Sequence, residues 1–168
     1  MTKITATLDS NVDCATEIIR LAATKGVDVA VGSVTGRERT TPTFDPGLAE
    51  ASLLPETAVF DEGLFDQALW GDSSSTECFE AVLKIISSGS FPKASKRSQL
   101  THGQHTQLRD AIAFCAHVRA KRDIFVTNDG DFLNGGRREV LESQFLTRLL
   151  TKEEFLVQLE SMDKTSAT

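Results

Sequence analysis

The amino-acid sequence predicts an α/β fold with a central, mainly parallel sheet. Residues 4–8 (ITATL) are β-branched and alternating, which predicts a strand that ends at Asp9. Residues 15–25 carry apolar side chains at helical spacing and stop at Gly26, and residues 27–31 (VDVAV) predict a second strand. A strand, a helix and a strand in close succession indicate a βαβ unit, in which the two strands run parallel and the crossover is right-handed.

The middle of the chain, about residues 40–100, predicts helices and loops. Three prolines lie within residues 40–58, so we expect a loop region there with one short helix at about 47–53. Apolar residues at helical spacing over 64–69 predict a further helix. Ser74-x-x-Glu77 has the form of a capping box and predicts the start of the next helix.

The second half of the chain returns to alternating helices and strands. The polar stretch 93–103 predicts an exposed loop, and 105–120 predicts a deeply packed helix. DIFVT at 123–127 and FLTRLL at 145–150 predict two more strands. Thr151-x-x-Glu154 is a second capping-box pattern, and it predicts the start of the last helix.

Length and composition are those of one core-forming domain. The chain has 168 residues, of which 40% are hydrophobic and 25% charged, and we expect a single domain over 1–162 with a frayed tail at 163–168. No apolar run is long enough for a membrane span or a signal peptide, so a soluble, cytoplasmic protein without a membrane partner is expected. The 24 acidic against 18 basic residues give a net charge of −6, which does not favour a polyanion as partner.

The cysteines indicate neither a disulfide framework nor a structural zinc site. Cys14, Cys78 and Cys115 are odd in number, far apart, and contain no CxxC pair. We expect all three to be small buried side chains.

Acidic residues follow the predicted strands. Asp9 comes after the first strand, Glu38 follows the second, and Asp129 and Asp131 follow DIFVT. In parallel α/β sheets function collects at the carboxyl ends of the strands. Asp110 lies on an otherwise apolar helix, where an ionised carboxylate is costly unless a partner such as a metal cation offsets it.

Clustered carboxylates favour a divalent cation. Carboxylates that meet in one place repel one another, and Mg²⁺ or Mn²⁺ offsets that repulsion through hard oxygen ligands. Such ions activate water and stabilise the charge that develops on a phosphodiester, so the pattern predicts phosphodiester hydrolysis.

Each acid also has a purely structural interpretation. Asp9 could cap the helix that starts near Asp13. Glu38 could be an ordinary solvated surface residue. Asp129 and Asp131 fit a common turn composition.

Several pieces of the sequence together carry a resemblance to a known family. In chain order they are Leu8-Asp9-Ser10-Asn11-Val12, Ser33-Val34-Thr35 with Glu38, Gln107-Leu108-Arg109-Asp110-Ala111, Phe125-Val126-Thr127-Asn128-Asp129-Gly130-Asp131-Phe132, and the closing FLTRLLTKEEFL. They span nearly the whole chain and resemble the PIN-domain nucleases. The resemblance implies a three-layer α/β/α sandwich, an acidic cluster that binds magnesium or manganese, and cleavage of RNA, often by a toxin that an antitoxin protein holds. It also favours a homodimer.

The resemblance implies roles for particular residues. Asp9, Glu38, Asp110 and Asp129 would form the catalytic, metal-binding acidic quartet, and Asp131 would be an additional or substitute metal ligand. Two further residues, Asn11 and Thr127, would support them. The second acid has two alternatives to Glu38, namely Asp61 and Glu62.

Three other interpretations stay open. A haloacid-dehalogenase-like phosphohydrolase would also place Asp9 after strand one, but it needs an Asp where this chain has Asn11. His102-x-x-His105 has the spacing of a zinc pair without a third ligand nearby. A PIN-like fold could also be a catalytically inactive binding or regulatory module.

Basic residues concentrate in the second half of the chain, where they could track phosphates. They include Lys93, Lys96, Arg97, Arg109, Arg119, Lys121, Arg122, Arg137 and Arg138. We assign Lys96, Arg97 and Arg109 as the nucleic-acid-binding candidates. The net negative charge implies that any contact with RNA is local and modest.

Overall fold

The structure is a computed structural model of the chain and describes residues 3–32, 51–57, 68–69 and 73–162. In this part of the chain five strands form one parallel sheet in the order β3-β2-β1-β6-β7, and two short strands form a separate parallel pair. The strands are β1 (Thr5–Leu8), β2 (Asp28–Gly32), β3 (Ser52–Leu54), β4 (Glu56–Thr57), β5 (Ala68–Leu69), β6 (Ile124–Val126) and β7 (Arg148–Leu150). The predicted α/β fold with a parallel sheet is therefore confirmed.

Helices cover both faces of the sheet. They are α1 (Ala15–Thr24), α2 (Ser73–Ile86), α3 (His102–Arg119), α4 (Gly130–Leu133), α5 (Arg137–Phe145) and α6 (Lys152–Ser161), with a 3-10 helix at Ala94–Gln99. Alternate residues of one strand enter different cores: Ile124 and Val126 pack with α1 and α6, while Phe125 packs with α2, α3 and α5. This alternation has the period of two that a strand imposes, and it makes the fold a three-layer α/β/α sandwich.

The aromatic centre of the second core holds α3 against the sheet. Phe114 on α3 is fully buried and makes an edge contact with Phe125 of β6, with ring centroids 5.1 Å apart. Phe132 of α4 lies 5.5 Å from both of these rings. The position of α3, which carries Asp110, is thus fixed by packing that resists rearrangement.

A buried polar bridge also ties α3 to the sheet. His117 contacts the Thr7 hydroxyl of β1 through Nδ1 at 2.8 Å and the Thr147 hydroxyl through Nε2 at 2.7 Å. Burial, together with the nearby Arg122 charge, lowers the pKa of His117 from 6.5 to about 3. The ring is therefore neutral at neutral pH, with one nitrogen donating and the other accepting.

Two predicted helices of the middle region are wrong where the structure describes them. Within the predicted helix 47–53, Ser52 and Leu53 belong to β3, which pairs in parallel with β2. Within the predicted helix 64–69, Ala68 and Leu69 form β5 beside β4. Pairing with a neighbouring strand overrides a short helical spacing, because a helix this short gains little on its own.

Other boundaries also differ from the predictions. The second helix begins at Ser73, so Ser74 occupies a helical position and not the expected N-cap. The predicted loop at 93–103 contains the 3-10 helix Ala94–Gln99, and α3 begins at His102 because Thr101 and Gln104 form a capping box. The helix α5 was not predicted, and its last residue, Phe145, lies inside the segment expected to be the last strand.

The remaining elements lie where the sequence predicts them. Gly26 adopts φ +70 after α1, which is the left-handed conformation expected of a residue that ends a helix. The capping box of Thr151 and Glu154 starts α6. In the described residues, no helix has the length and apolar character needed to cross a membrane.

The cysteines divide into two environments. Cys115 is buried, as predicted, and Cys78 is half-buried. Cys14 is exposed at the N-cap of α1, so the prediction of a buried side chain is wrong there. Its backbone φ of 57 turns the chain into the helix and leaves the side chain at the surface.

Candidate active site

The candidate site lies at the carboxyl ends of β1 and β6, two adjacent strands. Leu8 and Val126 are paired across the two strands, and the Asp9 amide donates to the Val126 carbonyl at 2.9 Å. Asp9 and Thr127 therefore leave the sheet side by side. Parallel pairing alone brings together residues that are 118 positions apart.

Asp9 is 5% exposed, and its carboxylate accepts hydrogen bonds from Ser10, Asn11 and Thr127. Its Oδ1 accepts from the Ser10 amide at 2.8 Å. Its Oδ2 accepts from the Thr127 hydroxyl at 2.7 Å and from Asn11 Nδ2 at 3.0 Å. These donors offset the cost of burying a negative charge and fix the orientation of the carboxylate.

The Thr127 hydroxyl is the hub of the site. It donates to Asp9 and accepts from Asn11 Nδ2 at 3.2 Å and from the Asp129 amide at 3.1 Å. A hydroxyl has one proton and two lone pairs, so these contacts use its full capacity. The hydroxyl thereby links the Asp9 carboxylate to the backbone amide of Asp129.

Two asparagines attach this hub to the surrounding loops. Asn11 Oδ1 accepts from the Asn128 amide at 3.0 Å, and Asn128 Oδ1 accepts from the Lys152 amide at 3.2 Å. The Lys152 ammonium contacts Asp13 at 2.7 Å. This hydrogen bond lowers the pKa of Asp13 and raises that of Lys152.

The acidic loop after β6 has a structural role as well as a place in the site. The Asp129 side chain caps α4 by accepting from the Asp131 amide at 2.8 Å. Asp131 accepts from Gln107 Nε2 at 2.8 Å and lies 3.8 Å from Arg137 Nη1. Asp129 is therefore the N-cap of a short helix, in place of the turn that the composition predicts, and Asp131 is held by an amide and a guanidinium.

Asp110 lies on α3, one turn after Gln107, and is half-buried. The bond from Gln107 to Asp131 joins that turn of α3 to the loop that carries Asp129. Glu38, Asp61 and Glu62, the candidates for the second acid, lie outside the described residues.

The donor chemistry determines how a metal would be held. Among the side chains of the described ranges, no group of three or more His, Cys, Asp or Glu residues is arranged to hold a metal ion, and this includes His102 and His105. Mg²⁺ keeps several waters and binds through one or two carboxylates plus substrate phosphates, so a closed protein cage is not required. Asp9 and Asp129 carry the hard carboxylate oxygens that Mg²⁺ and Mn²⁺ prefer.

The predicted nucleic-acid-binding residues lie in different environments. Lys96 is exposed on the 3-10 helix, and Arg109 is half-buried on α3. Arg97 makes two bonds to the Glu80 carboxylate, at 2.7 and 2.8 Å, and lies over the Phe91 ring. The Arg97 guanidinium therefore stabilises the contact between α2 and the 3-10 helix.

Several other basic residues also hold the fold together. Arg122 bonds to the Ala6 carbonyl and to Asp28, which lowers the pKa of Asp28. Arg137 bonds to the Ile86 and Gly130 carbonyls. Lys93, Lys96 and Lys121 are the lysines of the basic set, and they are exposed.

Three residues of the site received no predicted role, namely Gln107, Asn128 and Lys152. Gln107 and Asn128 lie inside the motifs that carry the resemblance, so adjacency to Asp110 and Asp129 was the available signal. Lys152 contributes mainly through its backbone amide, which no sequence pattern marks.

Comparisons with known proteins give no significant match to this chain, whether against protein-family models, curated proteins or solved structures.

Proposed function

We propose that the protein is a metal-dependent endoribonuclease that hydrolyses RNA phosphodiester bonds at the carboxyl ends of β1 and β6. The observation that supports this best is the buried Asp9 carboxylate, which the Thr127 hydroxyl links to the backbone amide of Asp129 at the end of the neighbouring strand. A purely structural role at a strand end could be filled by a neutral Asn or Ser without the cost of burying a charge. A bound cation would pair with that negative charge, which explains why an acid and not a neutral residue occupies this position.

In this proposal some residues of the site bind the metal ion, and others orient the metal-binding residues. Asp9, Asp110 and Asp129 would hold Mg²⁺ or Mn²⁺, with Glu38 as the proposed second acid and Asp61 or Glu62 as its alternatives. When bound, the ion would activate water and stabilise the charge that develops on the phosphodiester. Asn11 and Thr127 orient Asp9, as the ligand-supporting residues of metal sites do.

Asp131 has a different role in this proposal from the one that the sequence implies. Its contacts with Gln107 and Arg137 make it a positioning residue that keeps the α4 loop in place. Asp131 would act as an additional metal ligand only in a state in which its contact with Arg137 is broken. The exposed lysines Lys93 and Lys96 would contact RNA phosphates, in keeping with a local and salt-sensitive grip.

Partners of the proposed enzyme are part of the same hypothesis. An antitoxin protein and a homodimer follow from the resemblance to PIN-domain nucleases, and a cytoplasmic setting is the expectation drawn from the sequence.

The sharpest test is Asp129→Asn. Asn caps helices as well as Asp does, so the α4 cap and the stability should be retained. Loss of one metal-binding carboxylate should lower manganese-dependent cleavage of single-stranded RNA by at least about 100-fold. Asp9→Asn and Asp110→Asn should lower it similarly, whereas Glu160→Gln, an exposed acid on α6, should leave the rate unchanged.

The outcomes separate the competing interpretations. Cleavage that survives in both Asp9→Asn and Asp129→Asn would show that the site is assigned wrongly. A wild-type protein that binds single-stranded RNA without cleaving it, in Mg²⁺ and in Mn²⁺, would favour the inactive binding module. Hydrolysis of small phosphate esters in place of RNA would favour a phosphohydrolase.

A second experiment tests the hub. Thr127→Val removes the hydroxyl that couples Asp9 and Asp129, and cleavage should fall about 10- to 100-fold. Thr127→Ser keeps the hydroxyl and should restore most of the rate. Equal activity of the Val and Ser variants would contradict the role of the hub.

A further inference from the structure

Two cysteines that are far apart in the sequence meet between α2 and α3. The Cys78 and Cys115 sulphur atoms are 3.0 Å apart, although 37 positions separate the residues. A disulfide bond has a sulphur separation of about 2.05 Å, so the two atoms need to approach by about 1 Å. Both thiols are free in the structure.

The two thiols differ in their surroundings. Cys115 is 6% exposed and lies in the apolar core that covers one face of the sheet, whereas Cys78 is half-buried at the edge of that core. The hydrogen bond with Cys115 lowers the pKa of Cys78, with help from the Arg119 charge, and the same bond and burial raise the pKa of Cys115. Of the two, Cys78 is therefore the thiol that a peroxide reaches first and whose thiolate attacks it.

We propose that Cys78 and Cys115 form a reversible oxidation site, in which hydrogen peroxide converts the two thiols into an intramolecular disulfide that ties α2 to α3. The proposal rests on the sulphur separation and on the difference in accessibility. It does not depend on the proposed nuclease activity.

The reaction balances in two steps. The Cys78 thiolate attacks one oxygen of hydrogen peroxide, the O–O bond breaks, and the leaving hydroxide takes the proton lost by Cys78 to form water; Cys78 becomes a sulfenic acid. The Cys115 sulphur then attacks the Cys78 sulphur, the S–O bond breaks, and the hydroxide takes the Cys115 proton to form the second water. Together the two thiols lose two electrons, and these reduce one hydrogen peroxide to two waters.

The disulfide would change the stability of this face of the molecule. A link between positions 37 apart restricts the unfolded chain, which we expect to raise Tm by about 10 °C. The α3 helix also carries Gln107 and Asp110, so the oxidised state would hold that side of the candidate site more rigidly.

Peptide mapping tests the proposal directly. Trypsin separates the cysteines into three peptides: 4–20 with Cys14, 40–84 with Cys78 and 110–119 with Cys115. After treatment of the wild-type chain with hydrogen peroxide and alkylation of the remaining thiols, we expect peptide 40–84 linked to 110–119. Dithiothreitol should abolish this link, and peptide 4–20 should carry an alkylated Cys14.

Matched variants identify the roles of the two thiols. Cys14→Ser should still form the link and show the rise in Tm. Cys78→Ser should leave Cys115 reduced under the same peroxide treatment, because the core shields it. Cys115→Ser should leave Cys78 as a sulfenic acid that proceeds to the sulfinic form.

Two results would overturn the proposal. One is a wild-type protein in which Cys78 reaches the sulfinic state while Cys115 remains alkylatable. The other is a link from peptide 40–84 to peptide 4–20 that forms as readily as the link to 110–119.

Discussion

Lowering the pH from 8 to 5 should destabilise the protein through His117. The folded-state pKa of about 3 lies below the ordinary value of 6.5, because burial removes the ring from water and Arg122 repels its charged form. As the pH falls, the unfolded chain therefore takes up the proton first. The contribution of His117 to stability is complete above pH 6.5 and is lost as the pH falls from 6.5 towards 3.

The size of the loss follows from this linkage. At pH 5 the solution is about 1.5 pH units below the unfolded-state pKa of 6.5, so protonation stabilises the unfolded chain. The free energy of unfolding is therefore about 2 kcal/mol lower than at pH 8. The result depends on the unfolded-state value alone as long as the folded-state pKa stays below about 4. The Thr147 hydroxyl donates to the Asp123 carbonyl at 3.1 Å, so it accepts a hydrogen bond from His117 Nε2. Nδ1 then accepts from the Thr7 hydroxyl, and a second proton on the ring would break that hydrogen bond.

Urea denaturation at the two pH values measures this loss. With a slope of about 2 kcal/mol per molar urea, the midpoint should fall by about 1 M between pH 8 and pH 5. His117→Gln keeps a neutral donor and acceptor but does not titrate, so its midpoint should be lower at pH 8 yet change much less with pH. His102→Gln, at an exposed position on the same helix, should keep the wild-type dependence. An identical pH dependence in wild type and His117→Gln would refute the reasoning.

Two further predictions concern contacts near the ends of elements. Thr151→Ala removes the hydroxyl that accepts from the Glu154 amide at 3.2 Å and should lower the free energy of unfolding by about 1 kcal/mol in urea, whereas Thr151→Ser should restore it. Arg97→Lys keeps the charge but loses the two-pronged contact with Glu80, and it should cost up to about 1 kcal/mol because the pair is partly exposed. Lys96→Gln, its exposed neighbour, should change stability by less than about 0.5 kcal/mol, and an equal loss in both variants would contradict the assignment of Arg97 to the fold.

The sequence predicts those elements best whose local signals agree with their tertiary setting. The strands at 4–8 and 27–31 and the helix between them are found within a residue of their expected ends, because alternation, helical spacing and Gly26 all indicate the same unit. The capping pattern at Thr151 is similarly local. Such features depend on neighbours in the chain, so a single sequence contains them.

The misses have the opposite character. Ser52–Leu54 became a strand because β2 offered an edge for parallel pairing, which the sequence around residue 52 does not announce. The helix Arg137–Phe145 has a short apolar pattern, and Arg137 anchors its first turn to the Ile86 carbonyl, 51 positions away. The hydrophobic periodicity of a sequence does not indicate contacts between residues this far apart in the chain.

The candidate site shows the same division. Adjacency to strand ends singled out Asp9 and Asp129, and the resemblance implied a supporting role for Thr127. The parallel pairing of β1 with β6 brings Asp9 and Thr127 into contact. The double duty of Asp129 as a helix cap and the contacts of Asp131 with Gln107 and Arg137 required the tertiary structure.

The sequence by itself determined the α/β class, the parallel sheet and the acids that follow its strands, because side-chain period and strand-end chemistry are written in local order. Only the tertiary structure decided which of these side chains form hydrogen bonds with one another. It joined Asp9 to Thr127, enclosed His117 between two hydroxyls and brought Cys78 to Cys115. These pairs lie 118, 110 and 37 positions apart, and hydrogen bonds of a few ångströms form only when packing has already brought such distant segments together.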